Sequence, residues 1–209
     1  MTDVMAGTRA GSDVLPWLAF SLLCAGGSLG LSWLAPVVPL PSVVRAVGGL
    51  LAIFVLPLAS LLVPLLVLRR VPRKKRKVAW QLIVPLIAGV ALGIFGMSTG
   101  SAAALAERGV RADAVVVSAD YGSTNHCELR TVDGWDISPS LSESNGCQDS
   151  VSKGDELRVR YDPEGVASPD DGRPGSDGVL LAVLFGAAVV MGTWGGVRQS
   201  RWDRAYGEA

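Results

Sequence analysis

Arg69-Arg70-Val71-Pro72-Arg73-Lys74-Lys75-Arg76-Lys77 carries seven cations in nine residues and lies between two long stretches almost free of charge. Membranes retain Lys and Arg of short loops on the cytoplasmic side, so this run predicts a cytoplasmic loop and orients every apolar segment around it. Upstream, Arg45 is the only charge between Val14 and Leu68. A spanning helix needs about 20 residues, so that stretch holds two crossings. The prolines Pro36, Pro39 and Pro41 mark the break, because proline lacks an amide donor and clashes with the preceding turn.

Working outward, the expected fold is a membrane protein of four transmembrane α-helices with a small all-β domain, barrel or sandwich, between helices three and four. Residues 1–13 form an N-terminal tail. Residues 14–68 form a helical hairpin, with helix one over Val14–Ala35 and helix two over Val43–Leu68, and residues 69–78 form the basic loop. Helix three occupies 79–100, the β domain and its linker 101–177, helix four 178–197, and a tail 198–209. Two helices before the basic loop place both termini in the cytoplasm and export the β domain across the plasma membrane. Arg198, Arg201 and Arg204 behind helix four agree with that orientation, and Trp80 and Trp194 are placed as interfacial anchors. Arg9 is flanked by Asp3 and Asp13, and the first apolar run continues past Ala25-Gly26-Gly27 to Ala35, so helix one reads as a retained span, not a cleaved signal peptide.

The 209 residues are 49% hydrophobic with a mean hydropathy of +0.38, too apolar for a soluble domain of this size. Formal neutrality hides a division. Glu107 to Asp177 holds 15 acidic and 7 basic residues, net −8, whereas the remainder holds 4 and 12, net +8. An acidic exported block repels nucleic acid, which is excluded as a partner. Pro72 to Val78 is similar to a basic nuclear-import signal, but a short loop between spans explains it better, and its cations suit anionic lipid headgroups.

Within the spans, Pro57 and Pro64 interrupt helix two and Pro85 interrupts helix three; kinks satisfied by neighbouring helices are preferred over gating hinges, because the helix centres contain no ionisable group. Gly89, Gly93, Gly96 and Gly100 share one face of helix three, and Ala188, Gly192 and Gly196 make a similar row on helix four. Such rows permit close backbone approach. They predict packing of helix three on helix four, with a homo-oligomer through either face as the rival arrangement.

Beyond the membrane, residues 101–108 can extend helix three until Gly109 stops it. Ala114–Ala119, Cys127–Val132, Trp135–Ser138 and the alternation around Leu157, Val159 and Tyr161 read as strands, with Asp133-Gly134 as a two-residue hairpin turn and Ser168–Ser176 as a flexible linker. So small a domain has little core, and a Cys127–Cys147 disulfide would stabilise it by about 3 kcal/mol in an oxidising compartment. Cys24 is left as a buried thiol. His126 beside Cys127 lacks the CxxC pair of a zinc set, so no metal is expected.

Gly109-Val110-Arg111-Ala112-Asp113-Ala114-Val115-Val116, followed by Gly154 to Pro163 (GDELRVRYDP), resembles an uncharacterised bacterial membrane-protein family of actinobacterial type, catalogued as a domain of unknown function. Its members pair a G-x-x-A-x-A-x-V opening strand with a closing V-x-V-x-Y-D-P strand. The resemblance covers about a third of the chain and implies a compact β domain between transmembrane helices, with no catalytic residues to carry over. Leu157 at the first valine of the closing strand, and the cysteine pair, depart from the pattern. Independently of the family, Tyr161 can bury its ring at the strand end, Asp162 can accept turn amides, and Pro163 ends the ladder.

His126 is the single histidine and no Ser-His-Asp set is expected around it, and no phosphate-binding glycine loop follows a strand. The expectation is therefore a non-enzymatic, cofactor-free envelope module whose partners are the lipid bilayer and envelope or membrane proteins. A small transport or channel subunit is the alternative, and a membrane hydrolase using exported carboxylates the third reading.

Overall fold

A computed structural model describes residues 4–67, 71, 80–122, 124–171 and 177–207. The run Arg69–Lys77, expected to anchor the topology, lies outside the described residues except for Val71, as do linker residues 172–176. The chain divides into two compact units: Met1–Ser32 with Ser42–Gly96 and Asp177–Ala209, and Trp33–Pro41 with Met97–Ser176.

The helices are α1 (Val4–Val37), α2 (Ser42–Leu50, continuing through a π-helical Leu51–Val55 into Leu56–Val67), α3 (Ile83–Arg108, entered through a 3₁₀ turn at Trp80–Leu82) and α4 (Asp177–Gly207). Asp13–Val37, Ser42–Leu66, Trp80–Arg108 and Gly178–Tyr206 are each long and apolar enough to cross a membrane. Only 22% to 39% of the most apolar stretch of each is buried within the protein, so most of their hydrocarbon surface needs an apolar environment from elsewhere. Helix α1 starts ahead of the expected Val14, and α4 continues past the expected end at Val197 to Gly207. The extension of α4 is held by Trp17 Nε1, which donates to Ser200 Oγ at 2.8 Å, and by an Arg204–Asp13 ion pair.

The prolines act differently from one another. Pro57 has no amide to return to the preceding turn, and the chain widens into π winding just before it, with the Leu56 amide bonding to Leu51 O. Ser60 Oγ donates to Pro57 O at 2.6 Å, satisfying a carbonyl inside the same helix. Pro85 does not interrupt α3. It falls in the first α turn, where an amide would have no α-helical acceptor.

The glycine row of α3 packs on α1 and α2, while the expected packing of α3 with α4 is made by other residues, Ala88 and Leu92 sharing a buried cluster with Ala188 and Val189. A Cβ on Gly89 would sit 3.1 Å from the Pro57 ring and one on Gly93 2.9 Å from Ile53 Cγ1, while Gly96 faces Ser32 and Gly100 the Trp33 carbonyl. Helix α4 places Gly192 against Ser21 and Gly196 against Trp17, and a Cβ on Gly195, outside the anticipated row, would sit 2.5 Å from Leu82 Cδ2. Two helices present small residues to two different neighbours, because a glycine row creates a groove without choosing what fills it.

In the second unit, β1 (Val110–Tyr121), β2 (Asn125–Thr131), β3 (Asp136–Ser142) and β4 (Glu156–Tyr161) form one antiparallel sheet in the order β3-β2-β1-β4. Where a barrel or a two-sheet sandwich was expected, the described residues make a single sheet. One segment joins edge strand β4 to the 3₁₀ turn Glu143–Asn145 that follows edge strand β3: Asp170 bridges Arg160 of β4, while Pro169 O accepts from Asn145 Nδ2 and the Asp171 amide donates to Asn145 O. Residues 169–171 of the expected flexible linker are thus hydrogen-bonded structure.

The sheet buries one face, seen most clearly in β2, where Asn125, Cys127, Leu129 and Thr131 alternate with exposed residues. The core collects Ala114, Val116, Leu129, Ile137, Leu141, Val151 and Val159 around the Cys127–Cys147 disulfide, whose Cα atoms are 5.7 Å apart. The β2–β3 turn has three loop residues instead of two. Thr131 N bonds Trp135 O at 2.8 Å, and Gly134, at φ +92°, supplies the left-handed residue that closes such a loop.

Overpacking an obligate contact costs about 1–3 kcal/mol. Gly100→Ala, whose methyl would overlap the immovable Trp33 carbonyl, should lower the thermal unfolding midpoint of the detergent-solubilised protein. Gly30→Ala and Gly186→Ala, with nothing within 4 Å, should leave it unchanged or raised.

Candidate functional site

Helix α1 must end before Pro39, and its last carbonyls then have no helical partner. Leu34 O is taken by the Val38 amide at 3.0 Å. The carbonyls of Pro36 and Val37 are taken by Arg108, the last residue of α3: Nη2 donates to Pro36 O at 2.7 Å and Nη1 to Val37 O at 2.8 Å. A cation at a helix C-terminus also faces the negative end of the dipole.

The same guanidinium grips Asp162, at the end of β4. Nε donates to Oδ1 at 3.0 Å and Nη2 to Oδ2 at 2.9 Å. The Asp162 side chain is fully buried. It also accepts from the amides of Glu164 (3.0 Å), Val166 (3.3 Å) and Ala167 (3.0 Å), which wind the segment after Pro163 around it. Burial pushes the Asp162 carboxyl up, but the Arg108 hydrogen bonds and the Ala167 and Glu164 amides outweigh it and hold the group at about 2. Glu164 adds a second, exposed carboxylate 3.5 Å from Arg108 Nε.

Alongside, Arg160 of β4 reaches back to the end of α3, with Nε donating to Gly109 O and Nη2 to Ala106 O, both at 3.3 Å. Any Cβ on Gly109 would lie 2.5 Å from Leu105 O and 2.9 Å from Arg160 Nε, which is why the helix turns into β1 at a glycine. From there Val110 pairs with Tyr161, Ala112 with Val159 and Ala114 with Leu157. The opening and closing motifs quoted above are therefore hydrogen-bonded partners.

Chemically, this is a clasp. Asp162 has five donors on its two oxygens and stays ionised near neutral pH, so it is not placed to deliver a proton. Of the expected site residues, Cys127 and Cys147 are brought together, which removes both as thiolate ligands beside the exposed His126. Among the described residues no cluster of three His, Cys, Asp or Glu side chains could hold a metal. Arg108 was missed by sequence reading. The signal available was a lone cation ending an apolar helix directly before a helix-stopping glycine.

Compared with protein-family models, characterised proteins and solved structures, the chain matches none of them.

An Asp whose carboxyl titrates near 4 unfolded and at about 2 folded contributes about 2 kcal/mol, complete above pH 4 and lost as the pH falls toward 2. Denaturation of the detergent-solubilised protein, followed by near-UV circular dichroism, should show that loss, and Asp162→Asn should abolish this part of the pH dependence while lowering stability at pH 7. Lysine cannot reproduce the planar fork that serves two carbonyls and a carboxylate. Arg108→Lys should therefore destabilise by about 2 kcal/mol and Arg108→Met, which leaves a buried carboxylate unpaired, by about 3 kcal/mol or more.

Proposed function

We propose that this chain is a four-span plasma-membrane protein, both termini cytoplasmic, that displays its disulfide-closed β domain on the opposite side as an interaction or accessory module of the cell envelope. The observation that carries the reading is the Arg108 clasp. A domain that only had to be tethered could hang on flexible linkers, whereas this sheet is hydrogen-bonded at its base to the C-terminal ends of both α1 and α3. Such a mount ties the base of the sheet to the helix ends that lead into it. The opposite charge of the acidic block and the basic loop supports the placement, and a disulfide supports an oxidising compartment.

The surface so presented includes Val132 and Trp135 at the β2–β3 turn, 68% and 76% exposed, and a shallow concavity of about 400 Å³ lined by Glu128, Arg130, Asp136, Ser138 and Ser140. Exposed aromatic residues beside polar groups are the usual anchors of protein contacts. A small transport or channel subunit is the second reading, favoured by the π winding that precedes Pro57 in α2. Reconstituted protein showing solute flux that Pro57→Ala abolishes would establish it over the first.

Topology is tested with single introduced cysteines at exposed positions. An impermeant maleimide applied to intact cells should label Ser144→Cys, and should label Ala205→Cys only after lysis; the reverse pattern would invert the orientation. A photoreactive residue at 135 or 140 should give discrete adducts in intact cells, and no adduct from either position would contradict the interaction role.

A further inference from the structure

Serines inside a helix normally satisfy their hydroxyls on the carbonyl three or four residues back. Ser32 donates to Ser28 O at 2.7 Å, Ser60 to Pro57 O at 2.6 Å, and Thr193 to Val189 O at 2.7 Å. Ser28 does not follow them. Its side chain is wholly buried in α1, and its Oγ has no hydrogen-bond partner among the described residues. A buried hydroxyl left so costs about 1–3 kcal/mol, more where no water can reach.

Ser28 lines a cavity of about 10 Å³ shared by all four helices, with Ser21, Cys24, Ser60, Pro57, Gly89 and Ala188 among the other walls. All of these residues belong to the helical unit. Counted along each span, they fall within about two turns of its middle. Three hydroxyls thus converge where the helices are otherwise apolar, beside the point at which α2 changes winding.

We propose that the cavity is a binding site for one neutral hydrogen-bonding guest of a single heavy atom, a water molecule, which joins Ser28 of α1 to Ser60 of α2. Size admits one water and little more. Charge decides between water and a monovalent cation: the walls contain no carboxylate, and an ion stripped of its hydration there would go uncompensated. Hydroxyl chemistry agrees. Ser28 needs an acceptor, Ser60 has already committed its proton and offers lone pairs, and water supplies a donor and an acceptor at once. The guest bridges the helices just beyond the π-wound Leu51–Val55, so it acts as a polar latch on the α-helical turn that follows the irregular segment of α2. This inference holds whichever face of the membrane carries the β domain.

Radiolytic footprinting in ¹⁸O-labelled water tests it with the full chain in lipid nanodiscs. Cys24 is 4% exposed yet touches the cavity, and Phe54, 61% exposed on α2, serves as the lipid-facing reference. Each rate is divided by that of the same side chain in the unfolded chain. Cys24 should take up ¹⁸O several-fold faster than Phe54, and Ser28→Val, which removes the hydroxyl and fills the space, should bring Cys24 down to the Phe54 level. Wild-type Cys24 labelling no faster than Phe54 would overturn the site, and it does so without any variant having to fold. Undiminished labelling in a folded Ser28→Val protein would equally overturn the role of Ser28.

Discussion

One guanidinium holds together three pieces of chain that are far apart in sequence. Arg108 closes the end of α1 by taking the Pro36 and Val37 carbonyls, ends α3 itself, and neutralises the buried Asp162 at the end of β4. Each of these groups would be costly alone: orphan helix carbonyls, and above all a carboxylate out of water. Together they satisfy one another. The geometry requires arginine, because only a planar fork with several fixed donors can serve two carbonyls and a bidentate carboxylate simultaneously.

From that clasp the rest of the second unit follows. With α3 stopped at Gly109 and β4 tied down at Asp162, β1 and β4 begin side by side and pair from Val110 and Tyr161 onward. β2 and β3 extend the same sheet on the other side of β1 and share its buried face, and the Cys127–Cys147 bridge closes the long segment between β3 and β4 that contributes Val151 to the core. A core of this size depends on such covalent help. In the helical unit the logic is different. Glycines on α3 and α4 let backbones approach, and polar atoms are few and almost all self-satisfied, which is what makes the Ser28 hydroxyl conspicuous.

Much of this was legible in the sequence, for reasons that differ by element. The four spans were readable because length and charge exclusion are local properties, and the disulfide because two cysteines in a small exportable domain have few alternatives. The β4 alternation and the turn-forming role of Asp162 were legible because period and turn chemistry are local too. Helix partners were not: the Gly89–Gly100 row announces a groove, but whether α4 or the pair α1 and α2 fills it is set by the whole bundle. The ends of α4 and of the post-β4 segment were missed because they depend on long-range bonds, Arg204 with Asp13 and Arg160 with Asp170. Arg108 was invisible as a partner of Asp162 because 54 residues separate them.

The central claim is that Arg108 and Asp162 act as one unit. A double-mutant cycle with Arg108→Met, Asp162→Asn and the combined variant, read by denaturation of the full chain at pH 7, isolates their coupling. Residues of one buried network couple by about 0.5–3 kcal/mol. A value of about 2 kcal/mol, the double variant being little worse than either single one, is the expected result. Strictly additive losses would show that the two residues stabilise the protein independently, and would contradict the clasp.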